Sequence, residues 1–121
     1  KKPLCIVHAT ASSKNKSLTP QEKNQLVDDL KEKYAVCLLQ EPAYRSDAKA
    51  LSTKDILLSA AIIAKADLFI GIDSGPAHIA EVLDIQRVII TKAFKSDLLY
   101  LRTRNSLLLN RFDREKIALF I

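Results

Sequence analysis

The chain has 121 residues, 48% of them hydrophobic and 27% charged, which describes one folded domain able to bury a core without disulfides or metal and excludes a disordered segment. With three Tyr, four Phe and no Trp, it has little material for stacking the bases of single-stranded nucleic acid. The net charge of +5 suits an anionic partner such as a phosphorylated small molecule, a membrane surface or nucleic acid, although its dispersal over Lys14/Lys16, Lys92/Lys95, Arg102/Arg104 and Arg111/Arg114 also suits plain solvated surface.

The first predicted element is a short apolar strand, Leu4 to His8. A polar stretch rich in Ser, Thr and Lys follows, from Ala9 to Leu18. Thr19-Pro20-Gln21-Glu22 then starts a helix: Thr19 can cap it, Pro20 fits the first helical position, and Glu22 completes a capping box. Leu26, Val27, Leu30 and Tyr34 form its apolar face. Ala35–Leu39 reads as a second buried strand, and Glu41–Leu51 as polar and irregular, broken by Pro42. Ser52 or Thr53 can cap a second helix with an apolar stripe of Ile56, Ala60, Ile63 and Ala64.

A third strand, Asp67–Ile72, leads into a third helix, Pro76–Leu83. Arg87–Thr91 is a fourth strand, Ser96–Thr103 a helical segment, Ser106–Asn110 a fifth strand and Asp113–Phe120 a last short helix. Cys5 and Cys37 each lie inside an apolar run and read as buried free thiols, which implies a reducing compartment. No Cys/His spacing suggests zinc, no carboxylate cluster suggests another metal, and no cofactor is implied. No apolar run reaches the roughly 18 residues of a membrane span, and no signal peptide opens the chain. The chain begins without Met, directly on a strand, so it is expected to be a piece of a longer protein.

Alternation of continuously apolar strands with helices predicts an α/β, Rossmann-like three-layer domain with a parallel sheet. Ligands of such sheets bind outside the carboxyl ends of the strands. Three segments are expected to meet there: Ala9–Leu18, Gln40–Thr53 and Asp73–Pro76.

The third of these segments carries the most information. Both glycines of the chain lie here, Gly71 in the strand and Gly75 in the turn; glycine permits positive φ and close backbone approach. Ser74 can cap the helix, with Pro76 in its first turn, leaving free N–H groups and the positive dipole end for a phosphate. Asp-Ser-Gly-Pro is equally good material for an ordinary strand-to-helix turn. Asp73 would repel a phosphate unless it points elsewhere, toward a sugar hydroxyl or the loop amides. His78, one turn into the helix, reads as a half-buried brace for the loop or as a ligand contact. A Ser-His-Asp triad from these neighbours lacks the required geometry. The first loop adds Thr10, Ser12, Ser13, Lys14, Lys16 and Ser17, hydroxyls and cations able to hold a diphosphate. It is no Walker loop, and no GxGxxG follows the first strand.

Asp67-Leu-Phe-Ile-Gly-Ile-Asp-Ser-Gly-Pro-Ala-His-Ile-Ala80 resembles the Asp-Ser-Gly-Pro-x-His signature of the heptosyltransferases, glycosyltransferase family 9. His8-Ala-Thr-Ala-Ser-Ser-Lys-Asn-Lys-Ser-Leu-Thr19 is similar, more loosely, to that family's first-loop segment. The resemblance spans roughly residues 4 to 92. It implies one half of a GT-B fold, the nucleotide-sugar-binding domain, with the N-terminal acceptor domain absent. Carried over, Thr10 and Lys16 (or Lys14) would hold the donor diphosphate with Ser74 and Gly75. Asp73, His78 and Gly71 would shape the donor site, and Lys54 and Glu41 would meet the nucleoside. No catalytic residue is assigned, because the family's base resembles an Asp on the other domain.

The resemblance also implies an ADP-heptose-like donor and a lipid-linked saccharide acceptor of lipopolysaccharide synthesis. It implies a cytoplasmic protein at the inner face of the membrane, whose isolated donor domain turns over little. The chain departs from the family at Leu39-Gln-Glu-Pro42, where glycines are usual, at Thr91-Lys-Ala-Phe94, and at Leu18 in place of Trp. These departures leave the sugar open. They also leave an alternative, a non-catalytic Rossmann-like module binding nucleic acid or protein in a larger assembly.

Overall fold

The computed structural model describes residues 1–42, 45–92 and 100–121. In chain order its elements are β1 (Leu4–His8), α1 (Pro20–Leu30), β2 (Ala35–Leu39), β3 (Lys49–Leu51), α2 (Ile56–Ala64), β4 (Leu68–Ile72), α3 (Gly75–Val82), β5 (Arg87–Ile90), β6 (Ser106–Leu109) and α4 (Arg114–Phe120). The strands form one six-stranded sheet of order β3-β2-β1-β4-β5-β6, and every pairing is parallel. This is the expected α/β, Rossmann-like architecture.

Continuously apolar strands make sense in such a sheet because both faces are covered. Cys5, Val7, Leu68, Ile70, Val88 and Ile90 pack on one face with Leu26, Val27 and Leu30 of α1 and Ile117 of α4. Ile6, Cys37, Phe69 and Ile89 pack on the other with Ile63 of α2 and Ala77 and Ala80 of α3. Cys5 and Cys37 are buried and free, on opposite faces of the sheet.

The structure departs from the sequence expectations in five places. Lys49–Leu51, expected to be irregular, is a sixth strand. It is short and lies at the sheet's edge beside β2, so no apolar run announces it. Helix α2 is capped by Asp55, whose carboxylate accepts from Leu57 and Leu58 N–H, and not by Ser52 or Thr53. Of its expected stripe only Ile63 is buried, while Ile56 is 69% exposed; a helix apolar on all sides gives periodicity nothing to select. Tyr34 lies beyond the end of α1 and packs half-buried against the core from the connection to β2. The first half of the expected Ser96–Thr103 helix, 96–99, lies outside the described residues, and its last four positions, 100–103, are not helical. The capping box at Thr19 and Glu22 forms as expected.

Candidate functional site

Strand order reverses between β1 and β4: the chain runs from β1 outward through β2 and β3, then returns to β4 and continues the other way. Loops leaving two such strands diverge to opposite faces and open a crevice at their carboxyl ends, the usual ligand site of open parallel sheets. Its floor is fixed by register, His8 opposite Gly71. Its walls are the loop after β1, residues 9–18, and the Asp73–Ser74 turn after β4.

The first loop is ordered by its own bonds. Leu18 N–H reaches back to Ala9 O at 2.9 Å, and the Ser17 hydroxyl accepts from Ala11 N–H at 2.9 Å and donates to Ser13 O at 3.0 Å. This shape carries Lys16 Nζ to 3.4 Å from the Asp73 carboxylate, across the crevice. Lys14 does not make that contact; with Thr10, Ser17, Thr19 and Lys23 it lines a cleft of about 620 Å³ toward the head of α1. Of the two lysines considered, Lys16 is the one that joins the loops.

The turn after β4 is held from both sides. Ser74 caps α3, its Oγ accepting from Ala77 N–H at 3.4 Å. The same hydroxyl lies 3.0 Å from Ile72 O and 3.0 Å from His8 Nδ1. A carbonyl can only accept, so the hydroxyl proton goes to Ile72 and the hydrogen on the other bond belongs to His8 Nδ1. His8 is 5% exposed, and burial lowers its pKa to about 4, leaving the ring neutral at physiological pH. On the backbone side, Ser74 N–H donates to the Tyr100 hydroxyl at 3.1 Å, which donates to Asp73 Oδ1 at 2.7 Å. Burial first, then the bond to Asp73, pushes the Tyr100 pKa up, so this phenol stays a donor. The Tyr100 ring stacks on His78, centroids 4.4 Å apart and planes 10° from parallel.

These contacts change the parts assigned to the predicted residues. Ser74 spends its oxygen, its proton and its N–H inside the turn, and acts as scaffold. Gly75 N–H has no partner among the described residues, and a Cβ there would meet nothing within 4 Å. Asp73 is buried and taken up by Lys16 and Tyr100. His78 is exposed, not half-buried, and braces the turn through Tyr100. Neither glycine has positive φ, so the conformational reason offered for them fails. Gly71 is instead a matter of space, since a Cβ there would stand 2.6 Å from the Phe69 ring.

Glu41 is buried. One of its carboxylate oxygens accepts from Lys23 Nζ, and the other has no hydrogen-bond partner among the described residues. Lys54 stands exposed before the Asp55 cap, with no hydrogen bond or ion pair to the described residues. The chain turns after β2 at Gln40, which takes the left-handed φ of 63° that a glycine would adopt more easily. The Gln40 side chain offsets that strain by bonding Thr53 N–H at 3.1 Å and Thr53 O. Of the Thr91–Phe94 stretch, Lys92 pairs with Glu22 at 2.7 Å, and residues 93 and 94 lie outside the described residues. Sequence reasoning assigned no part to His8 or Tyr100. His8 ends a strand predicted to point at the ligand edge, which is a usable signal; Tyr100 lies 26 residues from Ser74 in sequence and carries none.

The family model for glycosyltransferase family 9, the heptosyltransferases, matches residues 1–90, a span that holds both walls of the crevice. The chain belongs to this family. Solved structures share its fold. E. coli heptosyltransferase WaaC with ADP superposes with a TM-score of 0.81 at 12% identity, over 98% of this chain and 43% of WaaC. TibC, an iron-containing dodecameric heptosyltransferase solved with ADP-D-beta-D-heptose, gives 0.71 at 18% identity, over 88% of this chain and 31% of TibC. A family 9 glycosyltransferase from Veillonella parvula gives 0.67 at 13% identity, over 97% of this chain and 39% of that one. No curated protein matches the chain. This family 9 chain therefore spans less than half the length of these structural relatives. No helix among its described residues is long and apolar enough to cross a membrane.

Proposed function

We propose that the chain is the donor-binding domain of an inverting glycosyltransferase, holding the diphosphate of a nucleotide sugar over the β1–β4 crevice. The observation that carries this reading is the Lys16–Asp73 contact of 3.4 Å, which brings the cation of one loop to the helix-starting turn of the other. A diphosphate between them gains the Lys16 charge, the Gly75 N–H and the positive end of α3. The same groups stabilise the charge that grows on the diphosphate as it leaves the sugar. Asp73 does not oppose this, because Tyr100 and Lys16 hold its carboxylate.

Thr10, on the same loop as Lys16, supplies a hydroxyl to the same anion. Exposed Lys54 borders the nucleoside side. An ADP-heptose-like donor is the reading that family membership favours, with a lipid-linked saccharide as acceptor and a second domain supplying the base. The whole enzyme would then work at the cytoplasmic face of a membrane in lipopolysaccharide synthesis.

Titration of the ¹⁵N-labelled chain with ADP tests the reading. The largest amide shifts are expected at Thr10, Lys16 and Gly75. Silence of these amides toward ADP, together with salt-sensitive binding of duplex RNA or DNA, would favour the non-catalytic module instead.

A further inference from the structure

We propose that His8 is a positioning residue for the donor site, fixing Ser74 in the rotamer that caps α3 and leaves Gly75 N–H as the helix's open donor. The inference rests on the donor-site reading above for its functional half and on geometry alone for its structural half.

His8 ends β1 and lies opposite Gly71 in register. Paired residues of parallel strands share a face: Ile6 and Phe69, two positions earlier, pack in the same core. The imidazole therefore stands beside a residue without a side chain. That space lets the ring reach across to the N-cap of α3, 66 positions away in sequence, with Nδ1 at 3.0 Å from Ser74 Oγ. A larger residue at position 71 would stand in its way, and its Cβ would already lie 3.4 Å from His8 O.

The contact has a defined direction. Ser74 Oγ donates its one proton to Ile72 O and accepts from Ala77 N–H, so a second acceptor site remains, and His8 fills it. Without that donor only the bonds to Ile72 O and from Ala77 N–H hold this rotamer, and one that turns the hydroxyl to solvent and drops the cap gains population. His8 also directly precedes the loop that carries Thr10 and Lys16. One ring thus ties the strand beneath the first wall of the crevice to the head of the second.

Asparagine discriminates this role from general packing. Its Nδ2 is attached to Cγ as Nδ1 is in histidine, so His8→Asn keeps a donor at the same place. His8→Gln moves the donor outward, and His8→Phe removes it while keeping a ring. Hydrogen exchange of the Ala77 and His78 amides and ADP affinity are measured on all three variants. Ring ¹⁵N shifts are recorded on the unmodified chain, which needs no variant to fold.

The unmodified ring is expected in the Nδ1–H form. His8→Asn is expected to match the unmodified chain within about twofold in both readouts. His8→Phe and His8→Gln are expected to speed exchange on the order of fivefold, as loss of a cap does, and to weaken ADP by a similar factor. An Nε2–H ring, or Asn and Phe variants that exchange alike, would overturn the role of His8 whether or not ADP binds. The exchange pattern intact with no ADP binding by the unmodified chain would instead overturn the donor-site half, leaving His8 as the residue that orders the turn.

Discussion

The two glycines look alike in sequence, a few positions apart in one motif, and the structure gives them unrelated reasons. Gly71 is bare because the Phe69 ring crowds it; a Cβ would meet that ring at 2.6 Å. Gly75 stands in open space at the first position of α3, where only an approaching ligand would need the room. Gly71→Ala is expected to lower unfolding free energy by roughly 1–3 kcal/mol, the usual cost of overpacking a filled core. Gly75→Ala is expected to leave stability unchanged or raise it by up to about 1 kcal/mol, and to weaken ADP. Chemical denaturation of both variants checks this, and equal losses would contradict it.

At this scale the sequence revealed which residues gather but not what each does. Asp-Ser-Gly-Pro announced a capped helix start, and Ser74 is that cap. That its remaining bonding capacity goes to His8 and Tyr100 depends on strand register and on a contact 26 residues distant, neither of which a local motif encodes. The choice between Lys14 and Lys16 likewise turned on the fold of one loop, through Ser17.

Elements were legible where local chemistry specifies them. The capping box at Thr19 and Glu22, with Pro20 between, gave α1 its start, and both reciprocal bonds form. Glu22 also meets Lys92 from the end of β5. Burial opposes its ionisation, but the bonds to Lys92 and Thr19 outweigh that and hold its pKa below the usual value.

Helix α2 was legible as a helix but not in its start or its face. Ser52 and Thr53 had the right side chains, yet the chain is still strand-like through Leu51, and Asp55 caps instead. The Thr53 hydroxyl accepts from Asp55 N–H at 3.1 Å, one step before the helix. Asp55→Ala is expected to cost about 1 kcal/mol of stability, whereas Ser52→Ala is expected to stay within about 0.5 kcal/mol. Thermal or denaturant melts separate the two, and the reverse order would show that the helix starts earlier.

For the molecule as a whole, parallel strands read from continuous apolar runs were enough to fix the class of fold. Strand order was not contained in those runs. It follows from which helix lies on which face, and only that order places the end of β1 beside the end of β4. The crevice at this reversal then unites the two loops that the motifs had marked separately. The chain corresponds to 43% of WaaC's length. Donor binding is the function proposed for it, and the catalytic base and acceptor site are proposed to belong to a second domain.

The central claim is that a diphosphate sits against Lys16 at the reversal. Calorimetric titration of the chain and of Lys16→Met with ADP and with adenosine addresses it most directly. ADP is expected to bind more tightly than adenosine. Lys16→Met is expected to weaken ADP by about tenfold or more, the usual worth of a charge-assisted bond, and to leave adenosine unchanged. Equal affinity for ADP and adenosine, or an ADP affinity indifferent to Lys16→Met, would contradict it.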